Sequence, residues 1–171
     1  TPLYSSAASD VYKRQFIMKG KKIADYINVD TISLDLKSKN KNAVIKELYE
    51  GIKDKETMKN EELGLNDIYA REAIGSTGIG KGVALPHAKT KAVDELIVTF
   101  GISKTGIEYD SLDEENVKIF FMFLCPEENT QEYLTVLARI SRWIKEDKFR
   151  ENLLKAKTAE EVIEIIKAEE N

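Results

Sequence analysis

The chain has 171 residues, 42% of them hydrophobic and 33% charged, a length and composition that suit one domain with its own core. Its formal net charge of −4 argues against general nucleic-acid binding, and no stretch approaches the roughly 20 apolar residues of a membrane-spanning helix. One cysteine, Cys125, and one histidine, His87, exclude an internal disulfide and fall short of the about four ligands of a His/Cys zinc site, so no metal is expected.

The first 17 residues are set apart from the domain, which is predicted to span residues 18–171. They contain no apolar core of the kind that an export signal needs. The piece SSAASDVYKRQ at positions 5–15 resembles translated sequencing adaptor, and Met18 shortly after it is typical of a natural start. We therefore expect residues 1–17 to be a non-native or disordered tail.

The first half of the domain carries both strand and helix patterns. Alternating apolar residues predict a strand over 31–36, and apolar residues at helical spacing predict helices over 39–54 and 61–74. A glycine-rich loop, 75–82, follows the second helix. It leads into a short apolar run, 83–85, which predicts a buried strand that ends just before Pro86-His87.

The second half continues the mixture of strands and helices. Apolar, β-rich runs predict strands over 96–102 and 118–124. The spacing of a capping box at Asn129, and again at Thr158, predicts two helix starts, and an apolar stripe follows each. Because strands and helices mix along one chain without an internal repeat, the sequence predicts a single α/β domain with a sheet covered by helices.

The glycine-rich loop is the most unusual local feature, with four of the nine glycines inside eight residues. Glycine allows positive φ and close approach of backbone N–H groups to an anion. The loop matches a nucleotide-binding P-loop at Gly75, Gly80 and Lys81. However, Gly82 stands where a hydroxyl should bind Mg²⁺, and the chain runs from helix to strand rather than from strand to helix. We therefore expect no nucleotide here.

His87, just after this loop, is the candidate nucleophile. At neutral pH an imidazole of ordinary pKa, about 6.5, keeps a nitrogen lone pair that can attack phosphorus. The protein must then place the ring and neutralise the charge on the phosphoryl oxygens, a task that suits the paired donors of arginine. Arg71 lies sixteen residues earlier, on the helix that leads into the loop. The alternative is a lone histidine that is structural or simply exposed.

The residues Arg71-Glu72, followed by STGIGKGVALPH over 76–87, resemble the signature of one family. It is the fructose/mannitol (type 2) class of EIIA domains of the bacterial phosphoenolpyruvate-dependent sugar phosphotransferase system. The resemblance extends from Met18 to about residue 168. It implies a single domain with a mixed sheet of about five strands and helices on both faces. It also implies a cytoplasmic location and no cofactor, because the phosphoryl group arrives already activated.

The same resemblance implies roles for the site residues and partners. His87 would be phosphorylated on Nε2, Arg71 would stabilise the phosphoryl charge, and Thr77 would contact the phosphate or the ring. The donor would be the phosphohistidine carrier HPr, and the acceptor a cysteine on an EIIB domain coupled to an EIIC permease that takes up the sugar. The alternative is a regulatory role, because the nitrogen-related EIIA proteins share the signature and dock onto other proteins according to their phosphorylation state.

One position departs from the family pattern. The family usually places a second histidine beside the active one, and this chain has Tyr133 there. A tyrosine hydroxyl donates or accepts a hydrogen bond but carries no positive charge. Tyr133 therefore either orients His87 or contacts the phosphoryl group, or only packs in its helix, and a degenerate domain without transfer is a third hypothesis. Cys125, between an apolar strand and Pro126, is expected to be a small buried hydrophobe rather than a catalytic thiol.

Overall fold

The computed structural model describes residues 22–170, so the predicted tail over 1–17 lies outside the described residues. After two short 3₁₀ helices, Ile23–Tyr26 and Val29–Thr31, these residues form six strands and five α-helices. The strands are β1 (Ile32–Ser33), β2 (Gly78–Gly80), β3 (Val83–Ala84), β4 (His87–Thr90), β5 (Ile97–Ile107) and β6 (Val117–Pro126). The helices are α1 (Lys41–Glu50), α2 (Glu61–Ile74), α3 (Thr130–Ile144), α4 (Asp147–Lys155) and α5 (Ala159–Glu170).

The sheet is mixed, with the order β1-β5-β6-β3-β2, and β4 also pairs with β6. Its centre is the antiparallel pair β5 and β6, while β3 and β4 follow one another along the other side of β6, both parallel to it. The break between β3 and β4 falls at Leu85-Pro86, where proline has no N–H to donate to the ladder. This break explains six strands where about five were expected, and it puts His87 at the start of its own short strand.

Alternation along β5 and β6 divides the core between the two faces of the sheet. Phe100 and Phe121 point to one face, where their ring centroids lie 4.9 Å apart and they pack with apolar residues of α3, α4 and α5. Phe120 and Met122 point to the other face and pack against α1 and α2. The prediction of an α/β fold with helices on both faces of one sheet is therefore confirmed.

Several element bounds differ from the predicted ones. Of the strand predicted over 31–36, only β1 pairs fully with β5, and beyond it the Leu36 N–H donates to the Ile102 carbonyl at 2.9 Å. The helix predicted over 39–54 ends earlier, at Glu50. Helix α4 was not predicted, because it has only two fully buried side chains, Phe149 and Leu153, and its other residues are polar except for the exposed Leu154. None of the described helices is long and apolar enough to cross a membrane.

Helix α2, which carries two charged residues to the site, is positioned by close contact with α1. The Tyr49 hydroxyl of α1 donates to the Glu61 carbonyl at 2.6 Å. At Gly64 a Cβ atom would lie only 2.4 Å from that hydroxyl oxygen, so the helices approach this closely because residue 64 has no side chain. The Asn60 side chain caps the start of α2 by accepting the Leu63 N–H at 3.1 Å.

The core arrangement predicts the cost of removing a central ring. Phe121 is fully buried between Phe100 and Phe149. We expect Phe121→Ala to lower the free energy of unfolding by about 3–5 kcal/mol, because it removes apolar contact and leaves a cavity. Denaturant unfolding measures this, with Leu112→Ala as control, since Leu112 is 91% exposed and its loss should change stability by about 0.5 kcal/mol or less. A loss at Phe121 as small as the control's would contradict this description of the core.

Candidate functional site

The glycine-rich loop forms the tight hairpin that joins β2 and β3. Three consecutive residues at its tip have positive φ: Gly80 at 96°, Lys81 at 58° and Gly82 at 77°. Glycine adopts this conformation without strain, which explains two of the loop's glycines. The Lys81 N–H donates to an Asp113 carboxylate oxygen at 2.9 Å, and this bond is the main cause that lowers the Asp113 pKa. The anion at this turn is therefore a side chain of the protein itself.

The hairpin tip lies away from the histidine. Val83 is level with Ile119 on β6, whereas His87 is level with Phe123 four residues further along that strand. Four residues of a strand span roughly 13 Å. The glycines at the tip therefore shape the hairpin, and the residues near His87 come from its base, from the end of α2 and from α3.

His87 is 3% exposed, and its ring is oriented by one backbone group. Its Nδ1 atom lies 2.5 Å from the Leu85 carbonyl oxygen. Because a carbonyl oxygen only accepts, Nδ1 must carry the hydrogen, and the neutral ring then has its lone pair on Nε2. Nε2 is buried and has no hydrogen-bond partner among the described residues. The lone pair of this nucleophilic nitrogen is therefore not used in a hydrogen bond with the described residues.

Two aromatic rings hold the imidazole in place. Phe123, its register partner on β6, stacks on it with ring centroids 5.0 Å apart and an interplanar angle of 10°. Tyr133, from the first turn of α3, lies against it at 5.5 Å with a tilt of 49°. Packing against two rings limits the rotation of His87, so the direction of the Nε2 lone pair is set by the fold.

The surroundings keep this imidazole neutral. Burial is the largest influence and lowers the pKa of His87 below its ordinary 6.5. The hydrogen bond to Leu85 acts in the opposite direction; the positive charge of Arg71 lowers this pKa further, and the negative charge of Glu72 raises it. At neutral pH the ring therefore holds one proton, on Nδ1, and keeps the lone pair that an attack on phosphorus requires.

Arg71 and Tyr133 are brought together beside this ring. Arg71, in the last turn of α2, donates from Nη1 to the Gly75 carbonyl at 2.8 Å, and its guanidinium lies close enough to the Tyr133 hydroxyl to act on the pKa of that phenol. Burial raises the pKa of the Tyr133 phenol, and Arg71 opposes that shift. The structure thus places three of the four predicted site residues, His87, Arg71 and Tyr133, in one group.

Thr77 is buried, and its side chain bonds to Glu72 and Tyr109. Its N–H donates to a Glu72 carboxylate oxygen at 2.9 Å, and its hydroxyl also bonds to that carboxylate. A second neighbour of the hydroxyl is the Tyr109 hydroxyl, at 3.4 Å. These bonds occupy the Thr77 hydroxyl within the protein, and its predicted contact with a phosphate or with the ring stays a prediction.

Three residues that sequence reasoning missed contribute to the site. Glu72 directly follows Arg71 in the signature, so the motif itself could have singled it out. Lys89 lies two residues after His87 on β4, where alternation predicts the same face of the strand, and its Nζ lies 5.4 Å from the centre of the Tyr133 ring. Phe123 could not be found in this way, because its contact with His87 depends on the register of β4 against β6.

The other chemical candidates are inert or absent among residues 22–170. Cys125 is fully buried, its thiol lies 3.6 Å from the Asn129 carbonyl, and burial raises its pKa to about 12. A thiol with such a pKa carries almost no thiolate at neutral pH, which agrees with its prediction as a buried hydrophobe. Within these residues no group of three or more His, Cys, Asp or Glu side chains is arranged to hold a metal ion.

The sequence matches one known family over most of its length. The sequence model of the EIIA 2 family of the phosphoenolpyruvate-dependent sugar phosphotransferase system matches residues 25–169. The chain is 34% identical over 145 residues to the fructose-specific EIIABC component of Bacillus subtilis strain 168, covering 85% of this chain but 23% of that protein. It is 31% identical over 138 residues to the fructose-specific EIIA component of Haloferax volcanii, covering 81% of this chain and 90% of that protein.

Solved structures show the same fold in proteins of two kinds. Nitrogen regulatory protein IIA-Ntr from Neisseria meningitidis has a TM-score of 0.79 at 29% identity, covering 84% of this chain and 98% of that one. The mannitol-specific enzyme IIA of Escherichia coli, solved in complex with phosphorylated enzyme IIB, has a TM-score of 0.72 at 16% identity, covering 83% and 97%. At that identity the second likeness concerns the fold alone. Sugar-specific and nitrogen-regulatory proteins are thus both among the relatives.

The single histidine makes the protonation state of the site directly measurable. Histidine labelled with ¹⁵N reports on His87 alone, because the chain has one histidine. We expect its NMR titration midpoint to lie below 6.5, with the Nδ1–H tautomer dominant above it. As the pH falls through this lowered pKa the ring becomes imidazolium and Nε2 loses its lone pair. A midpoint at or above 6.5, or a dominant Nε2–H tautomer, would contradict the geometry described.

Proposed function

We propose that this chain, which belongs to the EIIA 2 family of the phosphoenolpyruvate-dependent sugar phosphotransferase system, is a cytoplasmic phosphoryl carrier that uses His87. Phospho-HPr is the proposed donor and a cysteine of an EIIB domain the proposed acceptor, with an EIIC permease as the indirect partner in sugar uptake. One observation carries the proposal: Nδ1 of the only histidine donates to the Leu85 carbonyl, which leaves the Nε2 lone pair available beside Arg71.

In the first step Nε2 attacks the phosphorus of the donor phosphohistidine. The new N–P bond forms on His87 while the donor's N–P bond breaks and its electron pair returns to the donor nitrogen. The proton stays on Nδ1, hydrogen-bonded to the Leu85 carbonyl, so the ring gains positive charge as it takes up the phosphoryl group. In the second step a cysteine thiolate of the acceptor attacks the same phosphorus, and Nε2 leaves with its electron pair as neutral imidazole. No proton needs to move within this chain.

Arg71 supplies the positive charge for the three phosphoryl oxygens. In a loose phosphoryl-transfer transition state the charge spreads over these oxygens, so a fixed guanidinium contributes most by being in place beforehand. The Gly75 carbonyl holds the guanidinium, the Tyr133 hydroxyl lies beside it, and its charge already acts on His87. A guanidinium has five N–H donors, so donors remain for phosphoryl oxygens after these two contacts.

Tyr133 is proposed to orient the site rather than merely to pack in α3. It contacts the His87 ring and its hydroxyl lies beside Arg71, so it lies between the nucleophile and the proposed charge-stabilising residue. A tyrosine at this position provides the positioning without the positive charge of an imidazolium. Lys89, above the Tyr133 ring, is a second cation close to this group.

A regulatory role is the second candidate, and the likeness to nitrogen regulatory protein IIA-Ntr favours it. Under this function His87 takes up the phosphoryl group in the same way, but the phosphorylation state controls docking onto another protein and no sugar is phosphorylated. The two functions share every feature of the site and differ only in the fate of the phosphoryl group on His87. Transfer onward to an EIIB cysteine therefore separates them.

Phosphorylation by phospho-HPr tests the carrier function. We expect the purified chain to gain one phosphate that is labile in acid and stable in base, and His87→Gln to gain none, because it lacks the nucleophilic nitrogen. Added EIIB from the same source should then remove the label, whereas EIIB with its acceptor cysteine changed to serine should not. Label on the His87→Gln protein would contradict the proposed site. Label that stays on the chain with every EIIB of the same source would favour regulation.

Variants of Tyr133 test its role in orientation. We expect Tyr133→Phe to slow phosphorylation by about tenfold, because it loses the hydroxyl beside the Arg71 guanidinium, at a cost of about 1.5 kcal/mol, while the ring remains. Tyr133→His, which restores the usual residue of the family, should stay within a few-fold of the natural rate. Rates from phospho-HPr measure both. A large gain in Tyr133→His would show that the native site is impaired, and an unchanged rate in Tyr133→Phe would assign Tyr133 to packing alone.

A further inference from the structure

We infer that Glu72 is a positioning residue for the transfer, acting through Thr77 and Leu85 to keep His87 as the Nδ1–H tautomer with its ring in place. The inference rests on the proposed function in one respect, namely that Nε2 is the atom that takes up the phosphoryl group. Glu72 itself does not contact the His87 ring through any described hydrogen bond. Its effect reaches the ring along a continuous series of hydrogen bonds.

Glu72 is a buried carboxylate with an unusual number of partners. It is 8% exposed and accepts three hydrogen bonds, from the Thr77 N–H, the Thr77 hydroxyl and the Tyr109 hydroxyl, the last at 3.0 Å. The Lys41 ammonium lies 3.7 Å from its second oxygen. Burying a carboxylate is costly unless such partners compensate, and hydrogen bonds to an ionised acceptor are stronger than neutral ones. The Glu72 carboxylate therefore holds Thr77 firmly.

The anchored Thr77 in turn fixes Leu85. The Thr77 carbonyl accepts the Leu85 N–H at 3.0 Å, and the Leu85 carbonyl accepts the Nδ1–H of His87 at 2.5 Å. Glu72 is thus joined to the imidazole by four hydrogen-bonded contacts through two intermediate residues. Two of these contacts hold the same residue, Thr77, at its N–H and its hydroxyl, which restrains it more firmly than a single bond would.

Leu85 needs this support because it lies where the sheet is interrupted. Between β3 and β4 its N–H bonds to Thr77, not to β6, and the next residue, Pro86, has no N–H at all. The ladder resumes when the Phe123 N–H donates to the Pro86 carbonyl at 3.1 Å. The Leu85 carbonyl that sets the tautomer of His87 is therefore held on its N-terminal side by Thr77, and through Thr77 by Glu72.

A purely structural role for Glu72, as an anchor of the end of α2, makes a different prediction. Losing such an anchor would lower stability but leave the tautomer of His87 as it is in the folded protein. A positioning role requires that the folded variant show a changed imidazole. The tautomer and the reactivity of Nε2 separate the two roles, whereas a melting temperature does not.

The experiment uses ¹⁵N-histidine NMR and phosphorylation by phosphoramidate, a small phosphoryl donor that needs no partner protein. Thr77→Val removes the hydroxyl that bonds to Glu72, and Thr77→Ser keeps it. Glu72→Gln removes the charge, and Glu62→Gln is its matched control, an exposed carboxylate on the same helix. In Thr77→Val and Glu72→Gln we expect a measurable Nε2–H tautomer and labelling of Nε2 slowed by about three- to tenfold. Glu62→Gln should match the unchanged protein in both measurements, and Thr77→Ser, which keeps the hydroxyl, should lie closer to it than Thr77→Val does.

Each outcome decides the inference. Unchanged ¹⁵N shifts and unchanged labelling in folded Thr77→Val and Glu72→Gln, with only a lower melting temperature, would overturn the positioning role. If Glu72→Gln fails to fold, the Thr77→Val and Thr77→Ser pair decides alone. If phosphoramidate labels no Nε2 even in the unchanged protein, the proposed function fails, while the tautomer comparison still shows whether Glu72 sets the state of His87.

Discussion

The hydrogen bond from His87 Nδ1 to the Leu85 carbonyl is the constraint on which the site depends. A neutral imidazole has one N–H and one nitrogen lone pair in the ring plane. Fixing the proton on Nδ1 therefore leaves that lone pair on Nε2. The acceptor is the carbonyl of Leu85, two residues before the histidine. It lies at the break between β3 and β4, where Pro86 has no N–H to continue the ladder.

Burial and nearby charges set the protonation state of the His87 ring. Burial lowers the pKa of the imidazole, and the positive charge of the Arg71 guanidinium lowers it further, so the ring stays neutral. Glu72, the next residue, has the opposite charge, yet its carboxylate is turned into the protein and bonded to Thr77. Two adjacent residues at the end of α2 therefore have different surroundings: the charge of Arg71 acts on the His87 ring, and Glu72 is bonded to Thr77, which in turn bonds to Leu85.

The sequence predicted the layers of the fold better than the contacts of the site. Apolar periodicity predicted a sheet covered by helices, and the family resemblance added that helices lie on both faces. Helix α4 was missed because six of its nine residues are polar. The capping signature at Thr158 was confirmed, since its hydroxyl accepts the Glu161 N–H at 3.1 Å, whereas the Asn129 side chain instead donates to Glu132. Grouping His87 with Arg71 depended on a family signature, because no periodicity relates a helix end to a strand start. The partners of Glu72 could not be predicted, since Lys41 and Tyr109 come from distant parts of the chain.

The sixteen-residue spacing between Arg71 and His87 has a physical explanation in this geometry. After Arg71-Glu72 the chain must bring Thr77 within hydrogen-bonding distance of Glu72. It must then turn through the hairpin of β2 and β3 and return so that the Leu85 N–H bonds to the Thr77 carbonyl. A residue added or removed in the hairpin would shift Leu85 by about 3.3 Å along the strand and reverse the side to which its N–H points. The glycines at the hairpin tip and the carboxylate of Glu72 thus both help to close the backbone loop that brings His87 back to Arg71.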